Sequence, residues 1–193
     1  MPSFFRRIGS AVALLLLLAG AASLGYARWS RPVAEGDAAL AAGDLETAIE
    51  RYTAAEARFD AMPSTRELFG ADYRHAAANH LFALYRLGRF DAAIEQAQRA
   101  PDGAAPHFWA GISFFEKAKD EEAPEAVLGW LTRAEEELKQ AVAAAPGDWD
   151  TKYNYELTTR LAAALRKEPK TPPKQMMELL RPPTGARPAR RVP

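Results

Sequence analysis

The sequence predicts an all-α protein, an array of antiparallel helical hairpins behind an N-terminal transmembrane helix. Apolar and small residues recur at three- and four-residue spacing along most of the chain, which is the period of a helix face. Similar helix–turn–helix stretches return along the chain. The chain also begins with a long apolar run behind two arginines. We therefore expect about three hairpins followed by a terminal helix.

Charge and composition divide the chain into three regions. Residues 1–29 carry three Arg and no acidic residue, and residues 30–168 carry 16 basic and 24 acidic residues, a net charge of −8. Residues 169–193 carry six basic residues and one acidic residue, a net charge of +5. We expect a transmembrane segment at 1–29, a helical repeat domain at 30–167 and a tail at 168–193. The acidic body argues against nucleic-acid binding, and the absence of cysteine excludes disulfides and thiol catalysis.

The first element is an apolar run from Ile8 to Tyr26, about 19 residues, which is near the lower limit for crossing a bilayer core. Arg6 and Arg7 before it favour a cytoplasmic N-terminus and export of the following domain, which predicts a single-pass protein of the bacterial inner membrane with a periplasmic domain. A cleaved signal peptide is the rival interpretation, since Ala19-Gly20-Ala21 resembles a cleavage site. The residues expected in the span include Ile8, Leu14, Leu18 and Tyr26.

The first hairpin is predicted between residues 33 and 55. Its first helix has a small-residue face that includes Gly36, and Gly43-Asp44 supplies a turn and a helix start. In the second helix Ala48 and Tyr52 share one face, and Tyr52 is expected to fill the volume beside the small residues. Such a hairpin cannot bury its own apolar face, so it needs neighbours stacked on it.

Two further copies of this pattern follow. The second covers residues 72–100, and its turn at Gly88 lies 45 residues after the turn at residue 43. The third opens at Pro106, is interrupted by an acidic stretch at 120–124, and resumes with the same order of small and bulky residues. A last helix at 149–167 is expected to cover the exposed end of the array.

These spacings resemble the tetratricopeptide repeat (TPR) family, which has a small residue and an aromatic residue in the first helix, an alanine and an aromatic residue in the second helix, and a proline after it. The resemblance covers about residues 30–167 and implies a TPR-like fold. The second copy departs from the pattern at Leu81 and Ala97. The matching residues are Gly36, Gly43, Ala48, Tyr52 and Ala55 in the first copy and Gly111, Phe114, Ala134, Leu138, Ala141 and Pro146 in the third.

The family resemblance also implies a groove that binds an extended or helical peptide. In TPR arrays, residues at corresponding offsets of the first helices line the concave face. Core packing explains some of these residues equally well, and both interpretations stay open. The predicted partner-binding residues are Asn79, Phe82, Tyr85, Arg86, Phe108, Trp109 and Phe115.

The run from Pro146 to Glu156 resembles the end of the last repeat in MxaK-type proteins. These are TPR-like accessory proteins found with a MoxR-type ATPase and von Willebrand A-domain membrane proteins. In methylotrophs their gene cluster serves methanol dehydrogenase maturation, including calcium insertion. The resemblance implies a non-catalytic assembly factor with such partners. The rival prediction is a general cell-envelope scaffold or chaperone-associated anchor, unrelated to a metalloenzyme. The motif residues are Trp149, Asp150, Tyr153, Asn154 and Glu156.

The same run also predicts a capped terminal helix. Asp148 or Asp150 is expected to accept hydrogen bonds from the first turn. A direct docking role for Trp149, Asn154 and Glu156 is the alternative to simple packing. The stripe expected to face the preceding hairpin is Trp149, Tyr153, Leu157 and Leu161.

No residue pattern predicts catalysis, a metal, a cofactor or a small-molecule substrate. His75, His80 and His107 lack metal-ligand spacing and are expected to be solvated or to line the groove. The acidic residues at 120–125 lack the alternating oxygen ligands and the glycine of a calcium loop. We therefore predict a protein that is not an enzyme and whose partners are proteins and, through its N-terminal helix, the membrane.

The tail is predicted to be disordered, because its prolines and basic residues cannot bury enough surface to fold. Only Gln175–Leu180 has the composition of a short helix. Attraction of the positive tail to anionic lipid or to an acidic partner is the alternative.

Overall fold

The computed structural model describes residues 2–167, and the side chains of residues 12–167. The described residues form eight α-helices and no β-strand, which confirms the predicted all-α class. The predicted tail, with its short helix at Gln175–Leu180, lies outside the described residues. The helices are α1 (Pro2–Ala42), α2 (Leu45–Ala61), α3 (Ser64–Leu68), α4 (Gly70–Arg86), α5 (Phe90–Arg99), α6 (Ala104–Asp120), α7 (Pro124–Ala144) and α8 (Trp149–Lys167).

The chain divides into two compact units, Met1–Ala83 and Leu84–Pro193. In the first unit α1 packs on α2. In the second unit α5 packs on α6, α6 packs on α7, and α7 packs on α8. In these four pairs, helices that follow one another along the chain are also neighbours in space.

The apolar N-terminal run and the first helix of the first hairpin form one continuous helix. α1 is 41 residues long and includes Pro32 in its interior. Its part Val12–Ala42 contains an 18-residue stretch of mean hydropathy 1.5 that is 0% buried. By length and composition this helix can cross a membrane. The predicted domain boundary after residue 29 lies inside this helix.

Arg58 of α2 compensates for the backbone hydrogen bond that Pro32 removes from α1. Because proline has no N–H, the carbonyl of Arg28, four residues earlier, loses its helical donor. Nη1 of Arg58 donates to this carbonyl at 3.0 Å and to the carbonyl of Trp29 at 2.9 Å. The ring of Trp29 also packs edge-on against Phe59, with 5.7 Å between ring centroids. The point where α1 lacks a donor is therefore fastened directly to α2.

The α1–α2 hairpin closes around Gly36 and Tyr52, as the sequence predicted. Tyr52 is fully buried, and a Cβ atom at Gly36 would lie only 2.7 Å from its Cε1 atom. Gly43 supplies the turn with a φ of 80°, a conformation that favours glycine. Asp44 caps α2 by accepting a hydrogen bond from the Thr47 N–H at 3.1 Å. Hydrogen bonds from the side chain and the backbone of Thr47 lower the pKa of the Asp44 carboxyl.

The α6–α7 pair repeats this arrangement with a leucine in place of the tyrosine. Leu138 is fully buried, and a Cβ atom at Gly111 would lie 2.7 Å from its Cγ atom and 3.2 Å from its backbone nitrogen. Ala134 and Ala141, about one turn to either side of Leu138, are fully buried, like the alanines beside Tyr52. The predicted order of small, bulky and small residues therefore marks a close helix contact in both pairs.

The terminal helix α8 begins with the predicted cap. The Asp148 carboxylate accepts hydrogen bonds from the backbone N–H of Asp150 at 3.0 Å and from the Thr151 hydroxyl at 2.7 Å. Of the two candidates for this role, the structure assigns it to Asp148.

The prediction that α8 buries the stripe from Trp149 to Leu161 is wrong for the first half of the helix. Trp149 is 78% exposed and Tyr153 is 53% exposed, whereas Leu161 is buried. Steps of four residues turn the helix face by about 40° each, so about 120° separate the two ends of the predicted stripe. Two threonines, Thr151 and Thr158, lie on the face that is buried. Their hydroxyls donate to the cap residue Asp148 and to a carbonyl of α8, so burial leaves neither hydroxyl unpaired. The buried residues of α8 are Thr151, Thr158, Leu161, Ala162 and Leu165.

Candidate functional site

Two predicted groove residues, Tyr85 and Trp109, lie together in the second unit. Their ring centroids are 5.4 Å apart. Phe90 lies 5.7 Å from Tyr85, and Phe108 lies 5.1 Å from Trp109 in an edge-on arrangement. The tight turn at Gly88, with a φ of 70°, returns the chain so that the start of α5 meets the end of α4. We call Tyr85, Phe90, Phe108 and Trp109, all half-buried, the aromatic patch.

The aromatic patch has a hydrogen-bonding edge. The Tyr85 hydroxyl donates to Oε1 of Glu116 at 3.3 Å. Burial and the Glu116 carboxylate raise the pKa of Tyr85 from 10.0 to about 12, so the phenol stays neutral at physiological pH. Glu116 also pairs with Lys119. The side chain of Arg86, the next residue after Tyr85, is exposed. The patch therefore combines exposed ring surface with charges of both signs.

Charged residues also surround a second aromatic contact, between α6 and α7. Phe114 stacks on Trp130 with 5.9 Å between ring centroids. Lys117 Nζ lies 4.8 Å from the Trp130 ring centroid and 2.5 Å from a carboxylate oxygen of Asp91. The guanidinium of Arg133 lies 5.2 Å from the same ring. Such cation–π contacts hold the Trp130 ring in place and keep positive charge at this surface.

A cavity of about 270 Å³ opens between α5, α6 and α7. At its wall Nδ1 of His107 lies 2.7 Å from a carboxylate oxygen of Glu137. Glu137 of α7 thus pairs with His107 of α6, a contact that no sequence pattern revealed. The other lining residues are Ile94, Ala97, Gln98, Ala100, Asp102, Pro106, Ala110 and Phe114.

Asn79 belongs to a polar cluster of the first unit that is centred on Asp37. The Asp37 carboxylate accepts hydrogen bonds from the Tyr52 hydroxyl at 2.6 Å and from Asn79 Nδ2 at 3.1 Å, and His75 Nε2 lies 2.9 Å from it. Burial and the bond to Asp37 raise the pKa of Tyr52. No sequence pattern pointed to Asp37, although a tyrosine expected in a buried contact requires a partner for its hydroxyl.

The remaining predicted groove residues are partly buried. Phe82 is half-buried in the first unit, and Phe115 is half-buried in the second. Phe115 packs against the apolar cluster of α6, α7 and α8 that includes Leu131 and Leu161. The structure therefore assigns Phe115 to core packing, and the aromatic patch retains Tyr85, Phe108 and Trp109 from the predicted set.

Each of the three histidines faces a carboxylate. His80 is 5% exposed and its Nδ1 lies 3.2 Å from Glu56, so the expectation that it is solvated or lines the groove is wrong. The pairing buries the ring without leaving its nitrogen unpaired. Among the described residues, no group of three or more His, Asp or Glu could hold a metal ion. The pairs are His75 with Asp37, His80 with Glu56 and His107 with Glu137.

The terminal motif divides into exposed rings and side chains engaged within α8. Lys152 Nζ lies 5.0 Å from the exposed Trp149 ring. Asn154 Nδ2 donates to the carbonyl of Asp150 at 2.7 Å, and Glu156 pairs with Arg160 at 2.5 Å. Trp149 and Tyr153 are therefore the motif residues that offer apolar surface to a partner.

The predicted membrane residues lie on α1. Leu14 is 57% exposed and Leu18 is 58% exposed, as residues surrounded by lipid would be in a helix without neighbours. Ile8 lies on the same helix. Tyr26 packs its ring against Phe69, with 5.2 Å between centroids. The apolar run therefore ends where α1 first contacts the rest of its unit.

The aromatic patch is the strongest candidate for a binding surface among the described residues. Its ring faces, tyrosine hydroxyl and neighbouring arginine are the groups that dominate protein–protein contacts. Its half-buried rings are held by neighbouring rings, so little side-chain freedom is lost on binding.

No known protein-family model matches this chain, and no curated protein sequence matches it.

Proposed function

We propose that this protein is a membrane-anchored, TPR-like scaffold that holds a protein partner on its aromatic patch and catalyses no reaction. The single observation that carries this proposal is the contact of Tyr85 with Trp109, 5.4 Å apart, beside the exposed Arg86. Tyrosine, tryptophan and arginine are enriched among residues that dominate binding energy. Both rings come from first helices of predicted hairpins, the position that binds peptides in TPR proteins.

The close helix contacts support the TPR-like interpretation of the array. Gly36 opposite Tyr52 and Gly111 opposite Leu138 are the small and bulky residues that carried the resemblance. In each pair the bulky residue is fully buried. A repeat array built in this way presents an extended surface of first helices to a partner.

We propose that α1 is an uncleaved, single-pass anchor in the bacterial inner membrane, with the helical domain in the periplasm. Arg6 and Arg7 before the apolar run support this orientation. The continuity of α1 into the first hairpin supports an uncleaved anchor, because cleavage near residues 19–21 would cut a helix whose later part packs on α2.

We further propose that the partners are von Willebrand A-domain proteins and a MoxR-type ATPase, and that the client is a maturing methanol dehydrogenase. The run from Pro146 to Glu156 supports this choice by its resemblance to MxaK-type proteins. The exposure of Trp149 and Tyr153 leaves two of its rings available to a partner. A general envelope scaffold is the alternative, and it needs only the anchor and the aromatic patch.

Partner capture by the full-length chain from detergent-solubilised membranes of its host tests the proposal. We expect Arg86→Glu to reduce recovery of the partner severalfold, because it reverses the charge beside the patch without disturbing the core. Lys139→Glu, an equal charge reversal at an exposed position of α7, is the matched control and should retain the partner. Equal recovery with both variants would remove the aromatic patch as the binding surface.

The identity of the captured proteins separates the specific proposal from the general one. Recovery of a von Willebrand A-domain protein with wild-type chain, and its loss with Arg86→Glu, supports the first. Recovery of unrelated envelope proteins supports the general scaffold. A deletion strain that still produces metal-loaded methanol dehydrogenase would contradict a role in its maturation.

A further inference from the structure

We propose that the connector between α2 and α4, residues 62–69, is a second membrane contact that enters the lipid interface beside the point where α1 leaves the bilayer. The contact rests on the proposed function in one respect, that α1 spans the membrane. It goes beyond that proposal by assigning lipid as the ligand of a segment in the folded domain. All the residues that carry it belong to the first unit.

Contacts with Tyr26 bring the end of the connector to the level where the apolar run of α1 ends. The Phe69 ring lies 5.2 Å from the Tyr26 ring. The Tyr26 hydroxyl donates to Asp72, in the first turn of α4, at 2.8 Å. Tyrosine at the end of a membrane span sits at the boundary between hydrocarbon and headgroups. Phe69, the last residue of the connector, is therefore at the same depth as Tyr26.

The connector exposes large apolar side chains close to this level. Leu68 is 75% exposed and Met62 is 47% exposed. The backbone between them is ordered by its own hydrogen bonds, because the Thr65 hydroxyl donates to the Met62 carbonyl at 2.6 Å and the Phe69 N–H donates to the Thr65 carbonyl at 2.8 Å. This ordered segment, which includes α3, therefore holds the leucine and the methionine away from the core of the unit.

The junction between α1 and α2 fixes the position of the connector relative to the membrane helix. Arg58 is bonded to the carbonyls of Arg28 and Trp29, and it lies in the last turn of α2, immediately before the connector. Trp29 packs on Phe59, and Phe59 packs on Tyr73 with 4.9 Å between centroids. Contacts with α1 therefore hold the connector at both of its ends, through Arg58 and Phe59 before it and through Phe69 at its last residue.

The chemistry of the connector suits the lipid interface. Apolar side chains of an interfacial segment enter to about 5–10 Å, at the headgroup–acyl boundary, while cationic groups remain at the headgroups. Arg66 lies within the connector, pairs with Asp60 and sits 5.4 Å from the Tyr73 ring centroid. Continuity with the span of α1 selects lipid as the occupant of the exposed leucine over a partner protein or a second copy of the chain.

Fluorescence quenching in proteoliposomes tests the contact on the full-length chain. The chain has no cysteine, so Leu68→Cys can carry one NBD label. Leu24→Cys, at a position 75% exposed on α1, places a label within the proposed membrane span. Lys139→Cys, on the exposed face of α7, is the control for a label in water. We expect label 68 to emit at shorter wavelength than label 139 and to be quenched by lipid carrying a nitroxide near the headgroup, and label 24 to be quenched by lipid with a deep nitroxide.

The outcomes separate the contact from the anchor. A label at 24 quenched by lipid together with a label at 68 quenched only by aqueous iodide overturns the contact and leaves the anchor intact. A label at 68 protected from both lipid and iodide means that protein covers the connector, which also overturns it. A label at 24 without lipid quenching overturns the anchor and the contact with it. As a second arm, Leu68→Asp should abolish lipid quenching of a label at Met62→Cys and leave the label at 24 unchanged.

Discussion

The α1–α2 hairpin and the α6–α7 pair solve the same packing problem with different side chains. In both, a glycine lets a fully buried bulky residue approach so closely that a Cβ atom would lie 2.7 Å from it. The first pair uses Tyr52 and the second uses Leu138. The tyrosine brings a hydroxyl into the contact, and Asp37 accepts its hydrogen bond at 2.6 Å. The leucine brings no polar group and needs no such partner.

The difference shows that the glycine sets the distance between the helices and the bulky residue sets what else must be present. Around Tyr52 the first unit assembles a cluster of hydrogen-bonding side chains that includes Asp37, His75 and Asn79. In the second unit the neighbouring cluster of α6, α7 and α8 is apolar and includes Leu131 and Leu161. A repeat position that looks equivalent in sequence therefore carries unequal chemical requirements.

Removing the bulky residue should break each contact separately and have the largest effect. We expect Tyr52→Ala to lower the free energy of unfolding by about 3–5 kcal/mol and Leu138→Ala by about 2–5 kcal/mol, because each leaves a cavity. Urea unfolding in detergent measures the loss, and amide hydrogen exchange locates it. Protection should fall first in residues 2–83 for Tyr52→Ala and in residues 84–167 for Leu138→Ala. A loss spread evenly over both ranges would contradict two separate contacts.

Adding one methyl group to the glycines should have the next largest effect. Gly111→Ala is expected to cost about 1–3 kcal/mol, because the new Cβ overlaps Leu138. In a Leu138→Ala background the same change should cost less, which a double-mutant cycle would detect as coupling. Gly129→Ala on α7, where a Cβ atom would meet nothing within 4 Å, is the control. It should stabilise the helix by about 0.5–1 kcal/mol; an equal loss at both glycines would refute the close approach.

Tyr52→Phe tests the polar requirement that distinguishes the two pairs. It should cost about 1.5–3 kcal/mol, because the hydroxyl donates to a charged carboxylate. The raised pKa of Tyr52 favours the neutral phenol in the folded state. The contribution of this hydrogen bond is therefore complete below the ordinary tyrosine pKa of 10.0 and is lost as pH rises through the higher pKa of the folded state. Stability measured against pH should fall less steeply above 10.0 in Tyr52→Phe than in wild type; identical slopes would contradict this.

The caps of α2 and α7 should give the smallest effect. Asp44 accepts from Thr47, whereas Ala123, the N-cap of α7, offers no side-chain oxygen. We expect Asp44→Ala to lower the midpoint of thermal unfolding by a few degrees and Ala123→Ser to raise it by a similar amount or less, since a serine supplies the missing acceptor. Because the pKa of Asp44 is lowered, its contribution is present above 3.8 and is lost as pH falls through the folded value. Thermal unfolding at pH 7 and at low pH measures both changes.

Patterns of local spacing predicted the helices, the turn at Gly43 and the close contact of Tyr52, because a helix face repeats every few residues. Trp149 and Tyr153 are exposed, contrary to the prediction, because residues at four-residue steps drift around a helix. No sequence pattern pointed to Asp37 or Arg58. Their partners lie on other helices, and only the folded chain brings them within hydrogen-bonding distance. The predicted groove was divided for the same reason, because Phe115 turns toward a core that α8 completes.

On the proposed anchoring of α1, its unbroken helix fixes the rotational orientation of the first unit and its height above the bilayer. A helix advances about 1.5 Å and turns about 100° per residue, so one residue inserted just before Tyr26, which contacts Phe69, would rotate the whole unit by that angle relative to the preceding part of α1. A flexible linker would absorb such an insertion unnoticed. In the proposed anchor, the number of residues along α1 therefore decides which side of the first unit faces the lipid.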